Sequence, residues 1–214
     1  MKKIILSLAV VATLSACTED KKPTSESHQV ETTKEGATFN INKEESKINW
    51  KGSEIFKGKE EGGHFGIITF QSADITVKDG KLESGKFVAD MNTLASLDLK
   101  DEEKAQKLNS HLKNEDFFEV EKFPTATYEI TKVSAAEENA DYNTILDGNM
   151  TIKGITKPIQ FKANVSVNEN DLEIATAPQN INRQEFGVQY KSDVKDVIIK
   201  DELNVQVIIK ANTQ

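Results

Sequence analysis

The sequence predicts an all-β protein whose antiparallel strands curl into a closed or nearly closed barrel. Apolar and polar residues alternate with a period of two through much of the segment 39–214, which places them on opposite faces of strands. Turn signals separate the alternating segments at the spacing of hairpins. Closing such a meander removes its exposed strand edges. No Pro- or Gly-rich linker divides the segment, so we expect a single domain.

The clearest alternation lies in residues 159–167, where Phe161, Ala163 and Val165 are separated by polar residues. Segments 146–152 and 203–209 follow the same pattern. Further strands are predicted at residues 48–52, 65–70, 73–77, 82–91, 126–133 and 172–176. Asp79-Gly80 is a candidate type I′ turn, and residues 154–158 and 168–171 are further turn candidates.

One segment breaks the strand pattern. Residues 101–112 carry Ala105, Leu108 and Leu112 at helical spacing, with charged residues between them, which predicts a short helix. Asp98 is the candidate N-cap, because acidic residues follow it in the first turn. The helix would lie in the crossover between two strands, where it could cover one mouth of the barrel.

The N-terminus indicates export. Lys2 and Lys3 precede an apolar run over residues 4–14, which is too short to span a bilayer. Leu14-Ser15-Ala16-Cys17 resembles a lipobox, the motif at which bacterial lipoproteins are acylated and cleaved. We therefore predict a signal peptide at residues 1–16 and lipidation of Cys17. The alternatives are a conventional secretory signal with a cysteine nearby by chance, or a buried cysteine of a longer fold.

Residues 17–38 predict a flexible tether, because Lys, Glu, Thr and Ser dominate them and too little apolar surface is available to offset the ordering entropy. Cleavage would remove Lys2 and Lys3 and so change the net charge from −8 to about −10. This acidic balance argues against nucleic acid as a partner, because the phosphates need a basic face. We expect an exported protein of the cell envelope, lipid-anchored and facing the periplasm or the cell surface.

Several short motifs in the segment 47–211 resemble, in order, the landmarks of the YceI-like family. They are His64-Phe65-Gly66, Asp79-Gly80, Asp90-Met91-Asn92, Leu108 with His111-Leu112, Asp116-Phe117-Phe118, Phe123-Pro124-Thr125-Ala126-Thr127, the hairpin at residues 148–157 and Asn182-Arg183-Gln184-Glu185-Phe186-Gly187. The resemblance implies an extended, lipocalin-like antiparallel barrel that binds a long isoprenoid or another amphiphile in its interior. Eight strands would enclose either packed side chains or one slim ligand.

The candidate lipid-binding residues are mostly aromatic or aliphatic. The apolar wall is predicted to contain Phe65, Phe70, Phe87, Met91, Leu108, Leu112, Phe117, Phe118 and Phe123. His111 or Asn92 could hydrogen-bond a polar headgroup. The alternative is that the rings simply fill the barrel.

Other functional sites have weaker support. His64, His111 and Asp116 could form a partial metal site, but no cysteine ligand or His-x₃-His spacing accompanies them, so we predict no metal and no cofactor. The Gly-rich stretch 58–66 lacks the Gly-Lys-Ser/Thr end of a phosphate loop, and we read it as a bent strand entry. Arg183, the sole arginine, is expected to pair with an acid at one end of the barrel.

The sequence thus predicts a membrane-anchored binding protein that sequesters or carries a long apolar lipid. No Gly-x-Ser-x-Gly motif is present and no sequence pattern pairs particular carboxylates for acid–base chemistry, so we do not predict an enzyme. Two alternatives remain: an enzyme acting on an exported lipid or saccharide, and an envelope scaffold or adhesion domain with a solidly packed barrel.

Overall fold

The segments in which apolar and polar residues alternate form long, regular strands. The ends of these strands mark the two ends of the barrel. The structure is a computed structural model that describes residues 23–213, apart from the side chain of Glu61. The predicted signal peptide, Cys17 and the first part of the tether lie outside these residues. The strands are β1 (Ala37–Ile41), β2 (Lys47–Phe56), β3 (Lys59–Lys78), β4 (Lys81–Ser96), β5 (Thr125–Ala135), β6 (Thr144–Ile152), β7 (Ile155–Val167), β8 (Asp171–Thr176), β9 (Gln179–Asn182), β10 (Val197–Ile199) and β11 (Glu202–Asn212).

Eight strands close into a ring, which confirms the predicted barrel. Neighbours pair antiparallel from β2 through β8, then β8 pairs with β11 and β11 pairs back with β2. The closing pair brings Val205 opposite Trp50, and Val207 opposite Ile48. The ring therefore joins strands from opposite ends of the domain. β9 continues the line of β8 along β11, and β10 continues the line of β11 along β2, so both belong to the wall of the ring.

One end of the barrel, which we call the closed end, carries the turns of β3–β4 and β7–β8. Asp79 and Gly80 both have positive φ, 51° and 71°, as the predicted type I′ turn requires. β1 crosses this end and pairs with both β3 and β11. Its Phe39 is buried with Val77 and Leu172 in one apolar cluster, so side chains plug the barrel here.

The opposite end, which we call the open end, carries the turns of β2–β3 and β6–β7, helix α1 (Glu102–Lys113), the 3₁₀ helix Arg183–Phe186 and β10. α1 confirms the predicted helical crossover. Its N-cap is Asp101, whose carboxylate accepts hydrogen bonds from the amides of Glu103 and Lys104. The prediction of Asp98 as N-cap was wrong. Within residues 23–213, no helix combines the length and apolar character that crossing a membrane would need.

The strand predictions differ from the structure at four strands. β3 is a single strand of 20 residues, whereas the sequence predicted two strands at 65–70 and 73–77. Its pairing with β4 shifts register between Phe70 and Ser72, and this irregularity interrupts the alternation. β1, β9 and β10 were not predicted, because they have only 5, 4 and 3 residues.

Residues 23–36, which we call the N-terminal strap, contain no regular secondary structure and contact the outside of the barrel wall. The strap starts at the open end, where Ser25 Oγ accepts a hydrogen bond from the Thr156 amide at 3.0 Å. Midway, the Asn149 side chain bonds both backbone groups of His28 at 2.8 Å.

The strap ends at the closed end. The Thr33 amide and hydroxyl both donate to Glu83 Oε1, at 3.0 and 2.8 Å, and Glu35 pairs with Lys78 at 2.9 Å. β1 then begins at Ala37, inside the segment that was predicted as tether. The described part of that segment therefore differs from a freely extended linker, because its polar groups bond the barrel in order from one end to the other.

Candidate functional site

The barrel encloses a cavity of about 340 Å³ that reaches the open end. Its lining runs from Phe161 and Ile209 in mid-barrel to Ser53, His64 and Tyr190 at the open end. The turns at the closed end do not contribute. This volume lies near the lower limit of small-molecule sites, roughly 300–1,000 Å³. The cavity is thus a blind pocket with one mouth.

The inner half of the cavity is walled by aromatic rings. Phe70 and Phe87 pack edge-to-face with their centroids 6.4 Å apart, and Tyr128 packs the same way on Phe161 at 5.2 Å. This geometry suits aromatic quadrupoles. All four residues come from inward positions of β3, β4, β5 and β7, so strand alternation alone places them inside.

Tyr128 is a polar group whose hydrogen-bonding capacity is satisfied within the wall. Its hydroxyl lies 2.9 Å from the Leu146 carbonyl and 3.1 Å from the Ile159 carbonyl. The ring lies against Gly148, where a Cβ would sit 2.3 Å from a ring carbon. Burial raises the pKa of Tyr128, and the charge of Asp147 adds to this shift. Tyr128 is therefore neutral and keeps the surrounding wall apolar.

The outer half of the cavity is walled by Trp50, Met91 and Leu94, which form a second buried cluster. The Trp50 indole N–H donates to the Ile67 carbonyl at 3.3 Å. Its ring occupies the space beside Gly66, where a Cβ would lie 2.8 Å from the indole. The same Cβ would lie 1.9 Å from the Ala95 carbonyl oxygen, so the glycine permits the close approach of β4 as well as of the indole.

Three rings cover part of the mouth. His111 of α1 packs edge-to-face on Phe117 at 5.1 Å and on Tyr190 at 4.7 Å, and the last two rings are 4.9 Å apart. His111 Nε2 also lies 3.4 Å from Asp116 Oδ2. The His111 ring has a polar edge and lies at the end of an apolar pocket. Such a ring can contact the apolar tail and the polar headgroup of one ligand at the same time.

Arg183 joins two backbone segments at the mouth of the cavity. Its guanidinium donates to the carbonyls of Val188, Lys200 and Ile199 at 2.6, 3.1 and 3.3 Å, and to Asp201 Oδ1 at 3.0 Å. The expected pairing with an acid is confirmed. Burial lowers the pKa of Arg183 and Asp201 opposes the shift. The side chain fastens the segment after the 3₁₀ helix to the segment around β10.

A second pair of polar residues connects the loop between β4 and α1 to β3. Asp98 Oδ2 lies 2.8 Å from His64 Nδ1, and Asp98 Oδ1 accepts from the Phe65 amide at 3.2 Å. Burial alone would raise the pKa of Asp98, but the hydrogen bonds from His64 and Phe65 outweigh it and lower the pKa. His64 lines the cavity, so this hydrogen-bonded pair forms part of the rim.

Eight of the predicted lipid-binding residues line the cavity. They are Phe70, Phe87, Met91, Leu108, His111, Leu112, Phe117 and Phe118. Contact of any of them with a lipid stays a prediction. The described residues contain no cluster of three or more His, Cys, Asp or Glu that could hold a metal ion.

Phe65, Asn92 and Phe123 do not line the cavity. Phe65 is 51% exposed, because it lies an odd number of positions, five, before inward-facing Phe70 and alternation sends the two to opposite faces. Asn92 follows inward-facing Met91 and donates to Asp90 Oδ1 on the outer face at 2.9 Å. Phe123 lies in the loop before β5 and packs over the β6–β7 turn.

Sequence reasoning missed many lining residues. The most informative are Trp50, Ala89, Tyr128, Phe161, Ile181, Arg183, Val188 and Tyr190. Those on β2, β4, β5 and β7 occupy the apolar face of predicted strands, so a complete account of alternation would have found them. Tyr190 lies in a loop without periodicity, and no signal in the sequence marks it.

The geometry defines a class of protein: an antiparallel β-barrel that is plugged at one end and contains an apolar pocket open at the other. The chain belongs to the YceI-like family, because the YceI-like domain matches residues 39–211. It is 33% identical over 132 residues to a UPF0312 protein of Pseudomonas putida, and 43% identical over 63 residues to one of Pseudomonas paraeruginosa. These matches cover 59% and 29% of this chain, and 61% and 31% of the two relatives.

Two solved structures share the fold. BcnA of Burkholderia cenocepacia superposes with a TM-score of 0.59 at 19% identity, over 79% of this chain and 98% of that one. A polyisoprenoid-binding domain from Saccharophagus degradans superposes with a TM-score of 0.54 at 10% identity, over 83% and 99%. At these identities the likeness establishes the fold.

Proposed function

We propose that this protein binds a single long apolar chain, an isoprenoid or a similar amphiphile, in the barrel cavity. The observation that carries the proposal is the blind apolar pocket of about 340 Å³ with its single mouth. The relative from Saccharophagus degradans, named for polyisoprenoid binding, has the same fold and supports the choice of ligand class.

The driving force is burial of apolar surface, about 25 cal/mol for each Å² removed from water. Aromatic and aliphatic walls supply the inner surface, and the tyrosine inside has no unsatisfied polar atom. A chain would therefore enter tail first. Because the closed end is plugged by Phe39 and its neighbours, the headgroup would stay at the mouth, near His111 and His64.

We further propose that Cys17 is acylated and anchors the barrel outside the cytoplasm. The support is the cationic start, the short apolar run and the lipobox-like Leu14-Ser15-Ala16-Cys17. One acyl chain binds a bilayer weakly and reversibly, whereas two or more anchor stably. The role is to sequester or carry lipid at the membrane, with no bond made or broken, so the protein is proposed to act without catalysis.

Native mass spectrometry tests the binding proposal. The chain beginning at residue 18 should retain a copurifying lipid, and should take up added polyprenol after delipidation. A matched pair of variants on β4 locates the site. Ala89→Phe fills the cavity from an inward position, whereas Val88→Phe adds the same ring to the opposite face of the strand.

We expect Ala89→Phe to reduce bound lipid several-fold and Val88→Phe to leave it unchanged, with both variants folded by thermal unfolding. An unliganded wild-type spectrum without polyprenol uptake would contradict the function. Equal binding by the two variants would place the ligand elsewhere. The cavity argues against the alternative of a packed scaffold barrel, since an adhesion domain has no need of an apolar pocket.

A further inference from the structure

The strap determines which end of the barrel lies near the N-terminus. Pro23 lies beside Gly187, directly after the 3₁₀ helix. Ser25 and Glu26 then bond Thr156, next to the β6–β7 turn. Both contacts are with open-end elements. The described chain therefore starts at the open end, on the same side as the mouth of the cavity.

The strap is held along its length by contacts on four strands. Glu26 pairs with Lys157 of β7 at 3.2 Å, and His28 is bonded on both sides by Asn149 of β6. The amide of Glu31 donates to the Thr131 carbonyl of β5 at 2.8 Å. With Thr33 fixed to β4, the strap cannot slide toward the closed end without losing these bonds.

The chain before the strap is too short to reach past the barrel. Six residue steps separate Cys17 from Pro23, and fully extended chain spans at most about 3.6 Å per residue, so the reach is about 20 Å. β7 has 13 residues, which at about 3.3 Å each and a tilt near 40° gives a barrel roughly 30 Å long. An anchor at Cys17 thus holds the open end closer to the bilayer than the closed end.

Exposed apolar side chains point to the same surface. Of the five large hydrophobic residues exposed in the described chain, Phe65, Leu97, Val194 and Ile198 lie at the open end, with 51–63% of their surface accessible. Leu97 and Phe65 are joined by a backbone hydrogen bond of 2.9 Å. Ile198 belongs to β10, which pairs with the end of β2. The fifth, Val30, is on the strap.

We propose that the open end docks on the surface of a lipid bilayer, with Phe65, Leu97, Val194 and Ile198 entering the interface. The mouth then faces the membrane, so a lipid can pass between bilayer and cavity without crossing water. This inference rests on the proposed lipidation of Cys17. It adds a fixed orientation, which an anchor on a freely extended tether would not provide.

Depth-dependent quenching on vesicles tests the orientation. The acylated full-length chain is reconstituted in phosphatidylcholine vesicles that contain a brominated phosphatidylcholine. Cys17 is the only cysteine and acylation blocks its thiol, so a single introduced cysteine takes the fluorophore. Lys195→Cys places it beside Val194 at the open end. Glu169→Cys places it in an exposed turn at the closed end.

We expect at least three-fold stronger quenching at Lys195→Cys than at Glu169→Cys. Adding Val194→Ser and Ile198→Ser to the Lys195→Cys chain should reduce its quenching about two-fold, while adding Val30→Ser instead should leave it unchanged. Equal quenching at both ends, stronger quenching at the closed end, or no effect of the paired serine substitutions would overturn the docking surface.

The docking result and the binding result can fail separately. Mass spectrometry of the N-terminal peptide reports acylation of Cys17, and an unacylated cysteine would overturn this inference while leaving lipid binding by the chain from residue 18 intact. Strong quenching at the open end combined with an unliganded cavity would support docking and contradict the proposed lipid carrier.

Discussion

Arg183 shows how much of the mouth depends on one side chain. Four acceptors surround its guanidinium, and three of them are backbone carbonyls of the segments that border the cavity. Replacing it with Met would leave those carbonyls without this donor, whereas Asp201 Oδ1 would keep its hydrogen bond from Gln184 Nε2 at 2.7 Å. Each unsatisfied buried group costs about 1–3 kcal/mol.

We expect Arg183→Met to lower the free energy of unfolding by about 2–4 kcal/mol in urea titration. Lys195→Met, on the exposed loop before β10, is the matched control and should change it by less than about 0.5 kcal/mol. A similar small effect for both substitutions would show that Arg183 does not fasten the two segments.

Gly148 tests the contact between the wall and Tyr128. A Cβ there would lie 2.3 Å from the ring, whereas a Cβ at Gly52 meets nothing within 4 Å. Gly148→Ala should therefore destabilise the protein by about 1–3 kcal/mol through overpacking. Gly52→Ala should be neutral or slightly stabilising, because alanine loses less backbone entropy on folding. Equal urea midpoints for the two variants would contradict the close contact between Gly148 and the Tyr128 ring.

The sequence predicted residue positions well where alternation was unbroken. Phe87 and Met91 on one strand face both line the cavity, as their spacing required. Phe65 was assigned to the wall together with Phe70, although their odd separation puts them on opposite faces. The error came from treating aromatic character as a sign of burial. Tyr190 lies in an irregular loop, where only tertiary contacts place a ring.

At the scale of the element, α1 depends on its N-cap. The Asp101 carboxylate accepts from two first-turn amides, and no residue of α1 is fully buried. Loss of the cap should therefore be only weakly compensated by packing. We expect Asp101→Ala to reduce the free energy of opening of α1 by about 1 kcal/mol, measured by hydrogen exchange of the helix amides. Unchanged protection would contradict the cap's role.

The strap has a pH-sensitive contact. Hydrogen bonds from the hydroxyl and then the amide of Thr33 lower the pKa of Glu83. The contact therefore favours the anionic carboxylate. It stabilises the strap above the carboxyl's ordinary pKa and is lost as the pH falls through the lowered value.

We expect the Thr33 amide resonance to move toward its unbonded position as the pH falls from about 6 to 3. The matched variant Glu83→Gln should flatten that titration, because it removes the titrating group. An identical titration in the variant would mean that another acid controls the strap.

The sequence predicted the elements that are long and periodic. α1 was expected one residue from its observed bounds, and β8 was expected one residue from its observed start and at its observed end. The strap was expected as tether because its residues are polar. Polarity prevents burial in a core, but it does not prevent hydrogen bonding to the outside of a barrel, and composition cannot separate these two outcomes.

At the scale of the whole molecule, a ligand in the cavity should stabilise the fold. At a free lipid concentration of one hundred times Kd the gain is about 2.7 kcal/mol, which corresponds to a rise of roughly 5–10 °C in Tm for a domain of this size. Calorimetry of delipidated and polyprenol-loaded protein measures it. The cavity-filling variant Ala89→Phe should show little shift, and an equal shift would contradict binding in the barrel.

The alternation of apolar and polar residues and the turn signals were enough to predict a barrel. The family resemblance added that the barrel is of the lipocalin-like type. The resemblance also implied a ligand in the interior, whereas alternation could not predict that the barrel is hollow at one end. The inward positions are apolar whether they pack together or surround a ligand, and the difference arises from the sizes of side chains that meet across the ring. Phe39 of β1 fills one end, whereas among the side chains that the structure describes at the other end, His111, Phe117 and Tyr190 cover only part of the mouth.

The closing pair of strands has a consequence for the order of events in the cell. β2 and β11 lie about 150 residues apart in the chain, with Trp50 opposite Val205, so the ring cannot form before the last strand is available. Contacts of such separation form slowly. If the chain crosses a membrane unfolded, as its N-terminus suggests, no pocket exists during the crossing. The protein would arrive empty, and would meet its first lipid only after folding on the far side.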